Sequence, residues 1–159
     1  MPIQWMVSKD GLEKEFAADV EKLLSLSPFE WYVTCGYRSE EESNRLHKIY
    51  LAGGPRAAPG GKSPHNFGEA IDVVHDRDAT KPGCQMDWST ADAAWQWLFG
   101  AIKAHPRLHS GLSFNDSPHI ESVKFAKSKG RNADGTYFMP KSLNLAYVDS
   151  RNTDEGSEV

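Results

Sequence analysis

Apolar positions along the chain recur with two periods, one helical and one alternating. Between Asp10 and Leu26, the residues Leu12, Phe16, Val20, Leu23 and Leu24 fall on one stripe, which predicts a first helix. Asp10 and Glu13 resemble a capping box at its start, and Pro28 stands just past its end. Trp31 to Cys35 is a β-rich run closed by Gly36. Ser39 to Leu51 predicts a second helix: Ser39 and Glu42 form an S-x-x-E box, and Leu46, Ile49 and Tyr50 supply the apolar face. Gly53 to Ser63 is a Gly/Pro-rich loop without periodicity, expected on the surface and mobile. Glu69 to His75 predicts a strand carrying Ile71, Val73 and Val74, followed by a polar loop from Asp76 to Asp87. Thr90 to His105 predicts a third helix, buried through Trp95, Leu98, Phe99 and Ile102 and ended by Pro106. Leu108 to Phe114 and His119 to Val123 predict two short strands around a turn at Asn115 to Pro118. Helices and strands alternate, but the strands are few and short. The expected architecture is α+β, with a small, largely antiparallel sheet flanked by helices.

Length and composition narrow this picture. The 159 residues predict one domain, taken as 1–148, with a polar, acidic tail over 149–159 that is expected to fray. Apolar residues make up 39% and charged residues 25%, so disorder of the whole chain is not expected. Basic side chains number 18 against 22 acidic ones, a net charge of −4, and no basic run could track a phosphate backbone. Nucleic acid and anionic membranes are therefore poor partners. No apolar run approaches the ~18–20 residues of a membrane span. The N-terminus has no basic n-region, which predicts a chain made and kept in a cytosol. In that setting Cys35 and Cys84 are expected as free thiols. Cys35 is expected to be a buried small hydrophobe, and no C-x-x-C pair points to thiolate ligation.

The candidate chemistry lies in three stretches. In Ser63-Pro-His-Asn-Phe-Gly-Glu-Ala-Ile-Asp72, a histidine ends the Gly/Pro loop and an aspartate follows inside an apolar strand. Alternation aims Asp72 away from the face of Ile71 and Val73. Such a carboxylate is either half-exposed or held by a partner, because burying it bare is costly. In Asp116-Ser-Pro-His-Ile-Glu121, an acid and a histidine lie three apart in a turn; alone, this equally describes an Asp capping its own turn. Together, His65, Asp72 and His119 match the three protein ligands of a catalytic zinc site, which leaves a fourth position open. Asp116 is then spaced to act as the general base for water acidified by the ion. Arg38, in Gly36-Tyr-Arg-Ser39 before a helix, can present its guanidinium to a carboxylate or an oxyanion.

These stretches, in this order, resemble the zinc D-Ala-D-Ala carboxypeptidase family. That family includes the vancomycin-resistance dipeptidases and the L-alanyl-D-glutamate endopeptidases of phage endolysins. The resemblance rests on Arg38-Ser39, on Ser63, His65, Gly68, Ala70 and Asp72 within S-x-H-x-x-G-x-A-x-D, and on Asp116 and His119 within [D/E]-x-x-H. It runs from about Tyr37 to Glu121. It implies one Zn²⁺ per chain on His65, Asp72 and His119, Asp116 as general base, and Arg38 stabilising the substrate or the tetrahedral intermediate. It also implies the small α+β fold shared with the hedgehog signalling domain. The aspartate at 116 resembles the endolysin branch.

The implied function is hydrolysis of an amide bond in the stem peptide of bacterial peptidoglycan, by a monomer. The chain would accumulate in a host cytoplasm and reach the wall through a separate membrane pore. Two alternatives share the scaffold: a D,D-carboxypeptidase or dipeptidase trimming terminal D-Ala, and a non-catalytic zinc-stabilised binding module or virion component. The chain departs from many members in having Ser43 where they have glutamine. It also has His109-Ser-Gly-Leu where they have Trp-Gly-Gly. Of the other histidines, His47 is expected exposed, His75 in support of the metal ligands, His105 at a helix C-terminus, and His109 facing the cleft. Trp88, Trp95 and Trp97 are expected in the core or the cleft wall.

Overall fold

The computed structural model describes residues 3–55 and 57–128. The expected domain end at 148 and the tail over 149–159 lie outside the described residues. Six strands and four helices are described: β1 (Ile3–Trp5), α1 (Lys14–Ser25), β2 (Glu30–Cys35), α2 (Glu40–Leu51), β3 (Ala70–Asp76), β4 (Met86–Asp87), α3 (Ala93–Ala104), β5 (Leu108–Ser110), β6 (His119–Ser122) and α4 (Val123–Ser128). The sheet runs β1-β2-β3-β6-β5, with β4 paired to the end of β3. Every pairing is antiparallel except β1 with β2. The expected α+β class and largely antiparallel sheet are observed.

Alternation along the strands gives the sheet two unlike faces. Trp31 and Val33 of β2, Ile71 and Val73 of β3, and Ile120 of β6 point one way, where they join Phe16, Val20, Leu23 and Leu24 of α1 and Trp95, Leu98 and Ile102 of α3 in one apolar core. All of these are at most 7% exposed, and each large side chain contributes roughly 1.5–3 kcal/mol by its burial. Asp72, His119, Glu121 and His109 point to the opposite face.

Several boundaries differ from the sequence expectation. The first helix begins at Lys14, because Glu13 keeps an extended backbone and its carboxylate caps the amides of Glu15 and Phe16 at 3.1 and 2.8 Å. The second helix starts as expected, with Ser39 accepting from the Glu42 amide at 3.1 Å. The strand expected over Leu108–Phe114 stops at Ser110, and Gly111–Phe114 forms a 3-10 turn closed by left-handed Asn115. Strand β1 was not expected; its three residues carry too little pattern and gain their place from pairing with β2. The Gly53–Ser63 loop is not wholly superficial, since Ala57, Ala58 and Ser63 are buried.

Candidate metal centre

The polar face of β3 and β6 carries the site. Their antiparallel register sets Asp72 directly opposite His119, on the same side of the sheet. His65 arrives from outside the sheet, on a 3-10 turn over Pro64–Phe67 whose start is a reciprocal cap between Ser63 and Asn66. Gly68 closes that turn in left-handed backbone, φ 69°, and a Cβ there would lie 2.0 Å from the Gly11 carbonyl oxygen. The spacing from His65 to Gly68 is therefore a demand of the turn and of the chain packed against it.

The loop carrying Arg38 and the turn carrying His65 hold each other. The Arg38 amide donates to the His65 carbonyl at 3.0 Å, and His65 Nδ1 donates to the Gly36 carbonyl at 2.9 Å. Asn66 fastens both to α2, donating to the Arg38 carbonyl at 2.9 Å and to Ser43 Oγ at 2.8 Å. Ser43 is thus part of the scaffold under the site.

Asp72 Oδ1 lies 3.6 Å from His65 Nε2 and 3.4 Å from His119 Nδ1. Asp116 Oδ2 lies 3.6 Å from the same His119 nitrogen. These are not hydrogen-bond distances. They are close to the spacing of ligand atoms around a tetrahedral ion, about 3.3–3.4 Å for zinc bonds to nitrogen and oxygen. Asp72 Oδ1 and His119 Nδ1 are buried without a hydrogen-bond partner among the described residues. Such orphaned donors and acceptors call for an explanation, and a cation satisfies both at once.

The tautomers agree with this reading. His65 Nδ1–H is engaged by Gly36, which leaves the Nε2 lone pair toward Asp72. His119 Nε2–H donates to Glu121 Oε1 at 2.7 Å, which leaves the Nδ1 lone pair toward Asp72 and Asp116. Two compact donor groups share Asp72: Cys35, His65 and Asp72, and Asp72, Asp116 and His119. Cys35 faces His65 Nδ1 at 3.8 Å, the nitrogen already committed to Gly36, whereas Asp72 faces Nε2. Asp72 joins the two groups, its Oδ1 facing His65 Nε2 on one side and His119 Nδ1 on the other, with Asp116 in the second group.

Charge is concentrated here. Burial opposes the charged form of His65, but Asp72 prevails and raises its pKa to about 9. Burial likewise opposes His119⁺, while Asp72 and Glu121 raise it to about 10. Against its own burial, Asp72 is held well below the usual carboxylate range by the two histidines. Burial pushes the Asp116 carboxyl upward. Without an ion, then, protons on the two histidines balance the carboxylates.

Asp116 is fixed by its own turn. Its amide donates to the Gly111 carbonyl at 2.9 Å, and its carbonyl accepts from the His119 amide at 3.0 Å. A Cβ at Gly111 would meet the Asp116 carbonyl oxygen at 2.3 Å and His119 Cβ at 2.8 Å, so only glycine allows this approach. Arg38, Asp72 and Asp116 line a cleft of about 210 Å³ together with Leu46, Ile49, Pro55 and Ala57. All five residues singled out from the sequence, Arg38, His65, Asp72, Asp116 and His119, meet at this centre.

Other expectations are corrected. His47 is buried, not exposed; its Nδ1 donates to the Ala57 carbonyl at 2.7 Å and pins the loop to α2. His75 does not support the ligands, because it sits on the core face of β3, against Trp31 and Phe29, with Nδ1 3.1 Å from Asp87. His109 does not face the cleft but is buried beside Glu121. Cys35 is only half-buried, and Arg38 Nη2 donates to its sulfur at 3.2 Å. Sequence reasoning passed over Glu121. Its two-residue spacing from His119 in a strand was the signal that both share a face.

The fold and this cluster define a small α+β domain with a buried His/Asp centre on the polar side of its sheet. No family model matches the chain. Its fold is similar to that of the Serratia marcescens L-Ala D-Glu endopeptidase ChiX, with a TM-score of 0.52 and 19% identity over 72% of this chain and 82% of that one.

Proposed function

We propose that the chain is a zinc-dependent peptidase that cleaves peptidoglycan stem peptides at the L-alanyl-D-glutamate bond, as a phage-type endolysin does. The observation that carries this reading is Asp72 Oδ1 set between His65 Nε2 and His119 Nδ1, with Asp72 Oδ1 and His119 Nδ1 both orphaned and the Asp116 carboxylate beside them. The likeness to ChiX supports the choice of bond. In this reading the chain builds up in the host cytoplasm and reaches the wall through a separate pore.

His65, Asp72 and His119 would hold the ion. When bound, it supplies Lewis-acid polarisation of the scissile carbonyl and an acidified water. Asp116 would act as the general base toward the attacking water and return the proton to the leaving amine; burial raises its carboxyl above the ordinary value. Arg38, on the cleft side of the pair, orients a substrate carboxylate or stabilises the oxyanion. Leu46, Ile49, Pro55 and Ala57, which line the same cleft, suit a small apolar side chain such as alanine.

The test is digestion of purified sacculi by zinc-loaded protein, with mass spectrometry of the new termini. New L-Ala carboxyl and D-Glu amino termini are expected. Loss of single terminal D-Ala residues would replace this reading with a D,D-carboxypeptidase, and intact sacculi would remove the enzymatic reading.

A further inference from the structure

Glu121 is a carboxylate with no exposure, on the sheet face that carries the centre. A buried charge is held only where neighbours satisfy it. Two histidines contribute, one at each oxygen. His119 reaches Oε1 at 2.7 Å, and His109 Nδ1 reaches Oε2 at 3.1 Å. The sheet builds this line directly: His109 of β5 stands opposite Glu121 of β6, and His119 lies two residues along the same strand. Phe114 covers the line, with its ring 6.2 Å from His109 and 5.6 Å from His119.

The protons along the line are fixed by chemistry. An ionised carboxylate only accepts, so both histidines must donate to it. His119 therefore carries its hydrogen on Nε2 and His109 carries one on Nδ1. His109 Nε2 is buried with no hydrogen-bond partner among the described residues. A nitrogen left bare in the interior costs about 1–3 kcal/mol. A purely structural filler would avoid that cost, since phenylalanine or leucine fills a buried site without it. What His109 offers in return is the donor at Nδ1.

We propose that His109 is a positioning residue for the metal centre: through Glu121 it fixes the ring orientation and tautomer of His119, so that Nδ1 of His119 faces Asp72. The role rests on the metal reading given above. Held at both oxygens, Glu121 cannot swing its carboxylate away from His119. Without the His109 donor at Oε2, the hold on this carboxylate loosens, and with it the orientation of the His119 ring that donates to Oε1. Loss of such an outer partner typically weakens metal affinity by about 10–100-fold.

The experiment measures Zn²⁺ affinity by chelator competition, and the visible spectrum of the Co²⁺-loaded protein, for wild type and three variants. His109→Phe and His109→Met remove the donor. His109→Asn keeps one, because its side-chain amide nitrogen occupies the position of Nδ1. The expected result is a dissociation constant raised about 10-fold in the Phe and Met variants, with a changed Co²⁺ spectrum, and a value within about 3-fold of wild type in the Asn variant. Each variant is compared after near-UV circular dichroism confirms folding, and Met, the more adaptable side chain, carries the comparison if Phe does not fold. Wild-type affinity in folded His109→Phe or His109→Met overturns the role, as does equal weakening in His109→Asn. A wild-type chain that binds neither ion overturns the metal reading and this role together.

Discussion

Ile71 and Asp72 are neighbours on one strand, both without a path to open solvent for their key atoms, and they belong to different worlds. Ile71 belongs to an apolar core shared with α1 and α3. The Asp72 oxygen toward the histidines has no hydrogen-bond partner among the described residues, although it is buried. The core face is held by apolar burial, while the polar face carries buried atoms, Asp72 Oδ1 and His119 Nδ1, that the proposed ion would satisfy. A sheet this small can serve both purposes because alternation separates them by a single residue.

That contrast can be broken by substitution. Asp72→Ala removes the oxygen shared by both histidines. Metal analysis after equimolar loading should find no retained zinc, with the fold preserved. Asp116→Ala should keep zinc and lower kcat on sacculi by about 10²–10⁴-fold, the usual worth of a general base; unchanged turnover would remove that role. Ile71→Ala should do the reverse of Asp72→Ala, costing about 2–5 kcal/mol in denaturant unfolding while the folded fraction still binds one ion. If Ile71→Ala lost metal as readily as stability, the two faces would not be independent.

The proton balance gives a finer test. The folded, ion-free protein holds His65 and His119 charged up to about pH 9 and about pH 10. Both values are raised above the ordinary histidine value, so the stabilisation is complete below about pH 6.5 and is lost as pH rises through 9–10. Thermal melts of stripped protein should therefore fall in Tm over that window, and loaded protein should not follow. Calorimetry in buffers of different ionisation enthalpy should find close to two protons released per ion at pH 7. The smallest effect belongs far from the centre. Arg107 grips Asp19 with two bonds of 2.7 and 2.8 Å. Arg107→Ala should lower the midpoint of denaturant unfolding only slightly and leave metal affinity unchanged.

The difference between the faces also explains what the sequence disclosed. The apolar stripes, the Ser39 cap and the His65 turn are local, and local chemistry is readable from a string of residues. His65, Asp72, Asp116 and His119 could be singled out because their spacing is set by turns and by one strand, and the structure brings them near one another. His47, His75, His109 and Cys35 were misjudged because their surroundings depend on partners distant in the chain. His109 is buried only because β5 lies beside β6, and His75 belongs to the core only because Trp31 stands opposite it. Cys35 meets Asp72 across a register shift that no pattern announces.

The central claim is that the polar face completes itself with one metal ion and then hydrolyses peptide. Its most direct test is titration of Zn²⁺ into chelator-stripped protein while new termini are counted in a sacculus digest. The account predicts no cleavage in stripped protein and a linear rise that saturates at one ion per chain. Full activity in stripped protein, or saturation of the site with no new termini, would contradict it.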